Sequence, residues 1–341
     1  WEDAQHYFTI TLMDDKDPKA QALQKYLKET RGYTAEDIED MKLGCITSQE
    51  ALRKSLKGKG YSQDEIVAFI DQIKHIGKSH TLTIPLKEPA GDLRGISVRN
   101  IHYKEGDKYK YLFSTNPVKD LLFNLRAIRG KKDLVIVEGI LDALLCSARG
   151  IENVVALGGK TLTKAKLETA VKYGAQKITL CLDNEEETIL NTLKAIKLIQ
   201  EEKPELKIFV AQLPEGVKDP DELIRKEEAE AFKKVIADAI PFYKYQLVQI
   251  FKEYDKLQDE ETHFLTAKDE EDLIQEVITT AHSIEDPNDR VRFTKSFLDS
   301  EGIKELGITQ ESLDAVVDKL RYKEEEEKQK RSLRALFSEA E

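Results

Sequence analysis

Cysteine is scarce in this 341-residue chain, which has only Cys45, Cys146 and Cys181. They lie far apart and form no CxxC pair and no Cys/His cluster, which excludes a structural zinc site and a disulfide framework. Cys146 and Cys181 fall in apolar runs and read as core residues in a reducing, cytoplasmic setting. Long apolar runs are missing too. None approaches the roughly 20 residues needed to span a bilayer, so no membrane role is expected. The opening WEDAQHYFTITLMDD lacks the basic-then-apolar order of a signal peptide. With 40% hydrophobic and 34% charged residues, the composition suits a soluble globular protein, and the length suits two or three domains.

Positive charge is short overall, since the net charge is -11. That average argues against nucleic acid binding, but the distribution does not. Between Arg94 and Lys132 there are ten Lys/Arg and three Asp/Glu, so this stretch carries +7 and the remainder -18. A local basic stripe on an acidic protein can bind phosphates while the overall charge limits non-specific association. The same stripe also fits the solvated face of a hairpin.

Residues 1 to about 80 read as helices. Ser62-Gln-Asp-Glu65 forms a capping box before Ile66, Val67, Phe69 and Ile70, and Thr47-Ser-Gln-Glu50 forms another. Gly32 and Gly44 mark turns. From 81 to about 115 the period shortens, and TLTIPL, GISVRNIHY and YKYLFS read as short strands of a small sheet. From 133 to about 226 strands and helices alternate, which predicts right-handed βαβ units on a parallel sheet and an α/β fold class. The strands are DLVIVE, NVVAL, KITLCLD and KIFVAQL. Residues 228 to about 322 read as helical, and 323–341 as a charged tail or linker.

Ligands of open parallel sheets bind at the carboxyl ends of the strands, and those ends are acidic here. DLVIVE ends in Glu138-Gly139, with Asp142 one turn later. KITLCLD ends in Asp183, followed by Glu185, Glu186 and Glu187. KIFVAQL leads into PEGVKDPDE with Asp219 and Asp221. Packed carboxylates repel one another and favour a neutralising cation, and hard oxygen donors suit Mg²⁺ or Mn²⁺. Each acid taken alone also fits a helix N-cap or an acidic first turn. It is their conjunction that points to a site.

The segments VEGILDAL (137–144), IENVVALGGKTLTKAKL (151–167), LCLDNEEE (180–187) and LPEGVKDPDELI (213–224) resemble the TOPRIM domain of bacterial replicative (DnaG-type) primases. TLTIPLKEPAGDLRGISVRNI (81–101) and KYLFSTNPVKDLLFNL (110–125) resemble the parts of the catalytic unit that precede TOPRIM. The likeness extends to both helical flanks. It implies a helical and small-sheet basic subdomain over 1–132, a metal-binding TOPRIM domain with a parallel sheet over 133–227, and a helical subdomain over 228–322.

The function implied is a nucleotidyltransferase that makes short RNA primers on single-stranded DNA during DNA replication. The resemblance assigns Glu138, Asp183 and Glu185 to catalysis. It makes Glu138, Asp142, Asp183, Glu185, Asp219 and Asp221 the ligands of two Mg²⁺ or Mn²⁺ ions. Arg94, Arg99, Lys110 and Lys119 would contact template or nucleoside triphosphate. Tyr103, Tyr109, Tyr111 and Phe113 could stack bases, although core packing is their commoner use.

Two departures stand out. Glu185 occupies a place usually held by Asp, and a ligand one methylene longer predicts reduced activity. No zinc ligands exist in this chain, which predicts dependence on a separate zinc-ribbon module; a replicative helicase is a second expected partner. Two other readings stay open. One is a non-catalytic primase-like DNA-binding or accessory module of a phage, plasmid or bacterial replication system. The other is a different TOPRIM enzyme, such as a nuclease.

Overall fold

The computed structural model describes residues 1–319 except 77–78, 89, 105, 115–121, 185 and 258–264. Two compact units divide the chain, one of residues 1–195 with 211–239 and the other of 196–210 with 240–341.

The first unit begins with helices α1 (Glu2–Leu12) and α2 (Pro18–Lys25), and α2 runs on into a π-helical turn over Tyr26–Thr30. Then come α3 (Ala35–Asp40), β1 (Gly44–Cys45), α4 (Gln49–Gly58), α5 (Gln63–Asp71), β2 (Leu82–Lys87), β3 (Leu93–Arg99) and β4 (Tyr111–Phe113). The four strands form an antiparallel sheet in the order β1-β2-β3-β4. The Ser62 capping box forms as expected: its hydroxyl accepts from the Glu65 amide, and the Glu65 carboxylate accepts from the Ser62 amide. At the next helix upstream the cap is Ser48 rather than Thr47, and its hydroxyl accepts from the Ala51 amide at 3.3 Å. Gly44 is not a turn but a strand residue. A Cβ there would lie 2.5 Å from Phe8 Cβ, so only glycine lets α1 approach the sheet edge so closely. Ile96 and Val98 of β3 pack with Ala4, Phe8, Leu52, Leu56, Ile66 and Ile70, which gives the small sheet its helical cover.

The strand-helix alternation follows as β5 (Asp133–Val137), α6 (Ile140–Ala148), β6 (Val154–Ala156), α7 (Lys164–Lys172), β7 (Lys177–Leu180), α8 (Glu186–Glu202), β8 (Lys207–Val210) and α9 (Pro220–Ala237). The strand order of this sheet is β6-β5-β7-β8-β9, where β9 is Ile240–Pro241. β5 pairs in parallel with both β6 and β7. Its run Leu134-Val135-Ile136-Val137 is at most 2% exposed, the burial expected of a strand covered on both faces. β9 is antiparallel to β8 and is, among the described residues, the one strand in a region read from the sequence as purely helical. Two residues carry no period by which a strand could be recognised. Inside α9, Glu228 is non-helical at φ 66°, so a break falls where the sequence suggested the end of the α/β segment.

In the second unit, α10 (Phe242–Asp255), α11 (Ala267–Ser283) and α12 (Pro287–Leu298) pack on one another, with Leu273, Val277, Phe293 and Phe297 fully buried, and α13 (Gly302–Glu305) follows. Phe251 of α10 stacks on Phe297 of α12 with ring centroids 6.0 Å apart. Among the described residues, no helix is long and apolar enough to cross a membrane.

Candidate functional site

Three acidic segments converge at the carboxyl ends of β5 and β7. Glu138 follows β5 directly, and its carbonyl accepts from the Gly158 amide at 3.0 Å, which fastens the loop after β6 beside it. Asp183 lies just beyond β7. The next residue, Asn184, donates its amide to the Lys218 carbonyl at 2.8 Å and its side-chain amide to the Pro214 carbonyl at 3.3 Å. Those two bonds bring the Asp183 segment to the loop that presents Asp219. Glu138, Asp183 and Asp219 are all half-buried. Asp219 is also the N-cap of α9, where one of its oxygens accepts from the Glu222 amide at 2.7 Å. Capping and site membership are therefore compatible, because a carboxylate has a second oxygen to offer.

Asp142 and Asp221 behave differently. Asp142 is 3% exposed and Asp221 is 0% exposed. Arg31 lies between them, with Nη2 3.1 Å from Asp142 Oδ1 and Nε 3.3 Å from Asp221 Oδ2. Arg225, one turn along α9, pairs with the other oxygen of Asp221. In this structure both acids expected as metal ligands spend their charge on guanidinium groups. Burial pushes the Asp142 carboxyl up to about 6; Arg31 opposes that shift, while Asp219 and Asp221 add to it. Burial also raises Asp221 against the pull of Arg31 and Arg225. It works against the Arg31 charge as well, but the two carboxylates outweigh it and hold the guanidinium above its ordinary value.

Local sequence explains the arrangement. Asp142 is in the first turn of α6, whose N-cap is Gly139 with no capping side chain. A Cβ on Gly139 would sit 2.0 Å from Asp142 Oδ2, so glycine leaves room for the carboxylate to fold back over the helix start. The Glu-Gly-x-x-Asp spacing thus sets a half-buried acid at the strand end and a buried one folded over the helix start. The π turn sets Arg31: its amide bonds to the Tyr26 carbonyl at 3.1 Å, which closes the wide turn and delivers the side chain to Asp142 and Asp221. The next residues secure it. The Gly32 carbonyl accepts from Arg149 at 2.6 Å, and the Tyr33 hydroxyl donates to the Leu141 carbonyl at 2.6 Å.

Of the expected basic contacts, Arg99 and Lys110 join this site. Arg99 lies between the rings of Tyr26 and Tyr111, at 5.7 and 5.0 Å from their centroids, and donates to the Tyr111 hydroxyl. Burial and the nearby Arg99 and Arg31 charges lower the Lys110 ammonium, while Asp142 and Asp183 act the other way. Arg94 sits at the far end of β3, about 17 Å from Arg99 by strand rise, and pairs with Glu88 at 2.8 Å. Glu185 and Lys119 lie outside the described residues. Tyr109 is 52% exposed, whereas Tyr111 and Phe113 pack inward, with Phe113 5.8 Å from the Phe123 ring. Among the described residues, no three His, Cys, Asp or Glu side chains are grouped so as to hold a metal ion.

Sequence reasoning missed Arg31. A single arginine between two helices has no spacing that marks it, and its partners lie more than a hundred residues away.

Residues 135–224 match the Toprim-like family model. The chain is 27% identical over 326 residues to a DNA primase of Clostridium acetobutylicum, covering 90% of this chain and 50% of that protein. It is 28% identical over 301 residues to a DNA primase of Halalkalibacterium halodurans, covering 83% and 48%. It therefore spans about half the length of the curated relatives it matches. Among solved structures, the RNA polymerase domain of Mycobacterium tuberculosis primase DnaG in complex with double-stranded DNA superposes with a TM-score of 0.71 at 20% identity, covering 90% of this chain and 96% of that one. A DnaG primase catalytic domain bound to single-stranded DNA gives 0.63 at 20% identity, covering 90% and 95%.

Proposed function

We infer that this chain, whose fold is that of the RNA polymerase domain of DnaG-type primases, synthesises short RNA primers on a single-stranded DNA template from nucleoside triphosphates. The observation that carries the reading is the junction of the Glu138, Asp183 and Asp219 segments, with the Lys110 charge felt by Asp142 and Asp183 and the Arg99 charge by Asp142. Half-buried carboxylates from three segments are a fitting donor set for hard divalent cations. We assign Glu138, Asp183, Glu185 and Asp219 to hold Mg²⁺ or Mn²⁺, two ions in all. When bound, such ions polarise the phosphoryl group under attack and stabilise the departing pyrophosphate.

In this reading Asp142 and Asp221 act through Arg31 instead of binding metal directly, and the guanidinium fixes how α6 and α9 present Glu138 and Asp219. Arg99, held between two rings, and Lys110 place positive charge where template and triphosphate phosphates would lie. In this reading residues 133–227 supply the metal ligands and 1–132 the basic and positioning residues, and helices α10 to α13 follow after β9. A replicative helicase or a separate zinc-ribbon module completes the set of proposed partners.

The test supplies labelled nucleoside triphosphates, single-stranded DNA and Mg²⁺ or Mn²⁺ to the wild type, Glu138→Gln and Glu185→Asp. Glu138→Gln should abolish RNA products, and Glu185→Asp should preserve or raise them. Product formation by Glu138→Gln equal to wild type removes that residue from the mechanism. DNA degradation without nucleotide incorporation would instead identify a nuclease.

A further inference from the structure

The loop after β6 carries Lys160. Its base is firmly held: the Leu157 amide donates to the Val137 carbonyl at 2.9 Å, the Gly158 amide to the Glu138 carbonyl at 3.0 Å, and the buried Lys166 ammonium to the Leu157 carbonyl at 2.8 Å. Gly158 has φ +66°, and a Cβ there would meet Phe123 at 2.1 Å, so the backbone path is fixed at this point. Beyond that anchor the loop opens. Among the described residues nothing lies within 4 Å of a Cβ built on Gly159, and the Lys160 side chain is 49% exposed. Its ammonium pairs with Glu187, itself 65% exposed, in the first turn of α8 and four residues after Asp183. A cation thus spans from the segment tied to Glu138 to the segment that follows Asp183.

We propose that Lys160 is a positioning residue for the polyphosphate of the incoming nucleotide, and that Glu187 is its resting partner. The inference rests on the primase reading of this site. An ion pair this exposed contributes little to stability, because water competes for both charges. A polyphosphate offers several negative oxygens, and a charge-assisted bond to such a group is stronger and shorter than one to a solvated carboxylate. Exchange of Glu187 for phosphate is therefore favourable, and the glycine before Lys160 allows the small backbone adjustment it needs. Lysine suits this task as a compact point charge on a long stem. No covalent step is involved: Lys160 holds the departing phosphates in line and neutralises part of their charge.

A pair that merely braces α8 would give the same picture at rest, so the variants are chosen to separate the two roles. Equilibrium binding of ATP, and separately of inorganic tripolyphosphate, is measured by calorimetry with Mg²⁺ for wild type, Lys160→Ala, Glu187→Gln and the charge swap Lys160→Glu/Glu187→Lys. Thermal midpoints and KM and kcat for nucleotide incorporation are recorded alongside. Lys160→Ala should weaken ATP and tripolyphosphate binding about 5- to 20-fold and raise KM with little change in kcat. Glu187→Gln should bind as well as wild type or up to about threefold tighter. The swap, which restores the brace, should stay weak. ATP binding by Lys160→Ala within twofold of wild type overturns the inference and leaves the primase reading intact, as does full recovery in the swap. A wild type that binds ATP through Lys160 but incorporates no nucleotide keeps the polyphosphate contact and overturns the polymerase reading together with the role in incorporation. A wild type that binds no ATP overturns both.

Discussion

The acidic rim has two halves built on opposite terms. In one, Arg31, Asp142 and Asp221 are 12%, 5% and 0% exposed at their side chains, and every charge faces another charge. In the other, Glu138, Asp183 and Asp219 are only partly buried, and the Lys160 and Glu187 side chains are 49% and 65% exposed. Losing a partner inside a sealed cluster leaves a buried charge uncompensated, whereas losing one at an open rim leaves it hydrated. The two halves should therefore differ in what they govern: the sealed half governs stability and geometry, and the open half governs ligand binding. Carboxylates that look equivalent in the sequence are not equivalent in the fold.

The strongest way to break this distinction is Arg31→Leu. It leaves Asp142 without its cation and Asp221 with only Arg225, and the expected loss is about 3–5 kcal/mol in urea unfolding. Adding Asp142→Asn should restore part of it. A loss below about 1 kcal/mol would mean that the sealed half is not structurally distinct. Next in size is Gly139→Ala, whose methyl group competes for the space of Asp142 Oδ2. The carboxylate must leave Arg31 or α6 must shift, at about 1–3 kcal/mol, and nucleotide incorporation should fall with it.

Asp219→Ala sharpens the contrast from the open side. It removes a helix cap at about 1 kcal/mol, but it should also reduce the rise in thermal midpoint produced by Mg²⁺ or Mn²⁺, an effect not expected of Asp142→Asn.

The smallest effect at neutral pH concerns Asp142 itself. Its carboxyl is raised from 3.8 to about 6. Between those values the folded state binds the proton more tightly than the unfolded state does. Its contribution to stability is therefore greatest at acidic pH, falls as pH rises through that window and is flat above it. Asp142→Asn should remove this slope from a stability profile measured between pH 4 and 7. A profile with unchanged slope would show that another group titrates there.

The parallel strands, the helix after each and the acids at their ends were legible in the sequence, because burial on both faces leaves apolar runs and ligand sites of such sheets lie at one edge. The Ser62 cap was legible for the same local reason. What escaped was long-range. Arg31 meets acids on α6 and α9 through a π turn that no period announces, and Gly44 is a strand residue because of Phe8, thirty-six positions earlier. Asp142 and Asp221 were expected as metal ligands, but whether a carboxylate faces a groove or a guanidinium depends on burial, which spacing does not encode. The resemblance gave Arg94 and Arg99 the same role, and the two stand toward opposite ends of β3.

The tether from Arg31 to α6 and α9 has a consequence for dissecting the chain. Excising residues 133–227 as a minimal module would remove a counter-ion that the module cannot supply, so such a fragment would begin with two interior carboxylates and one arginine short. A transplantable core would need that missing cation replaced, or both acids neutralised, before its chemistry could be judged.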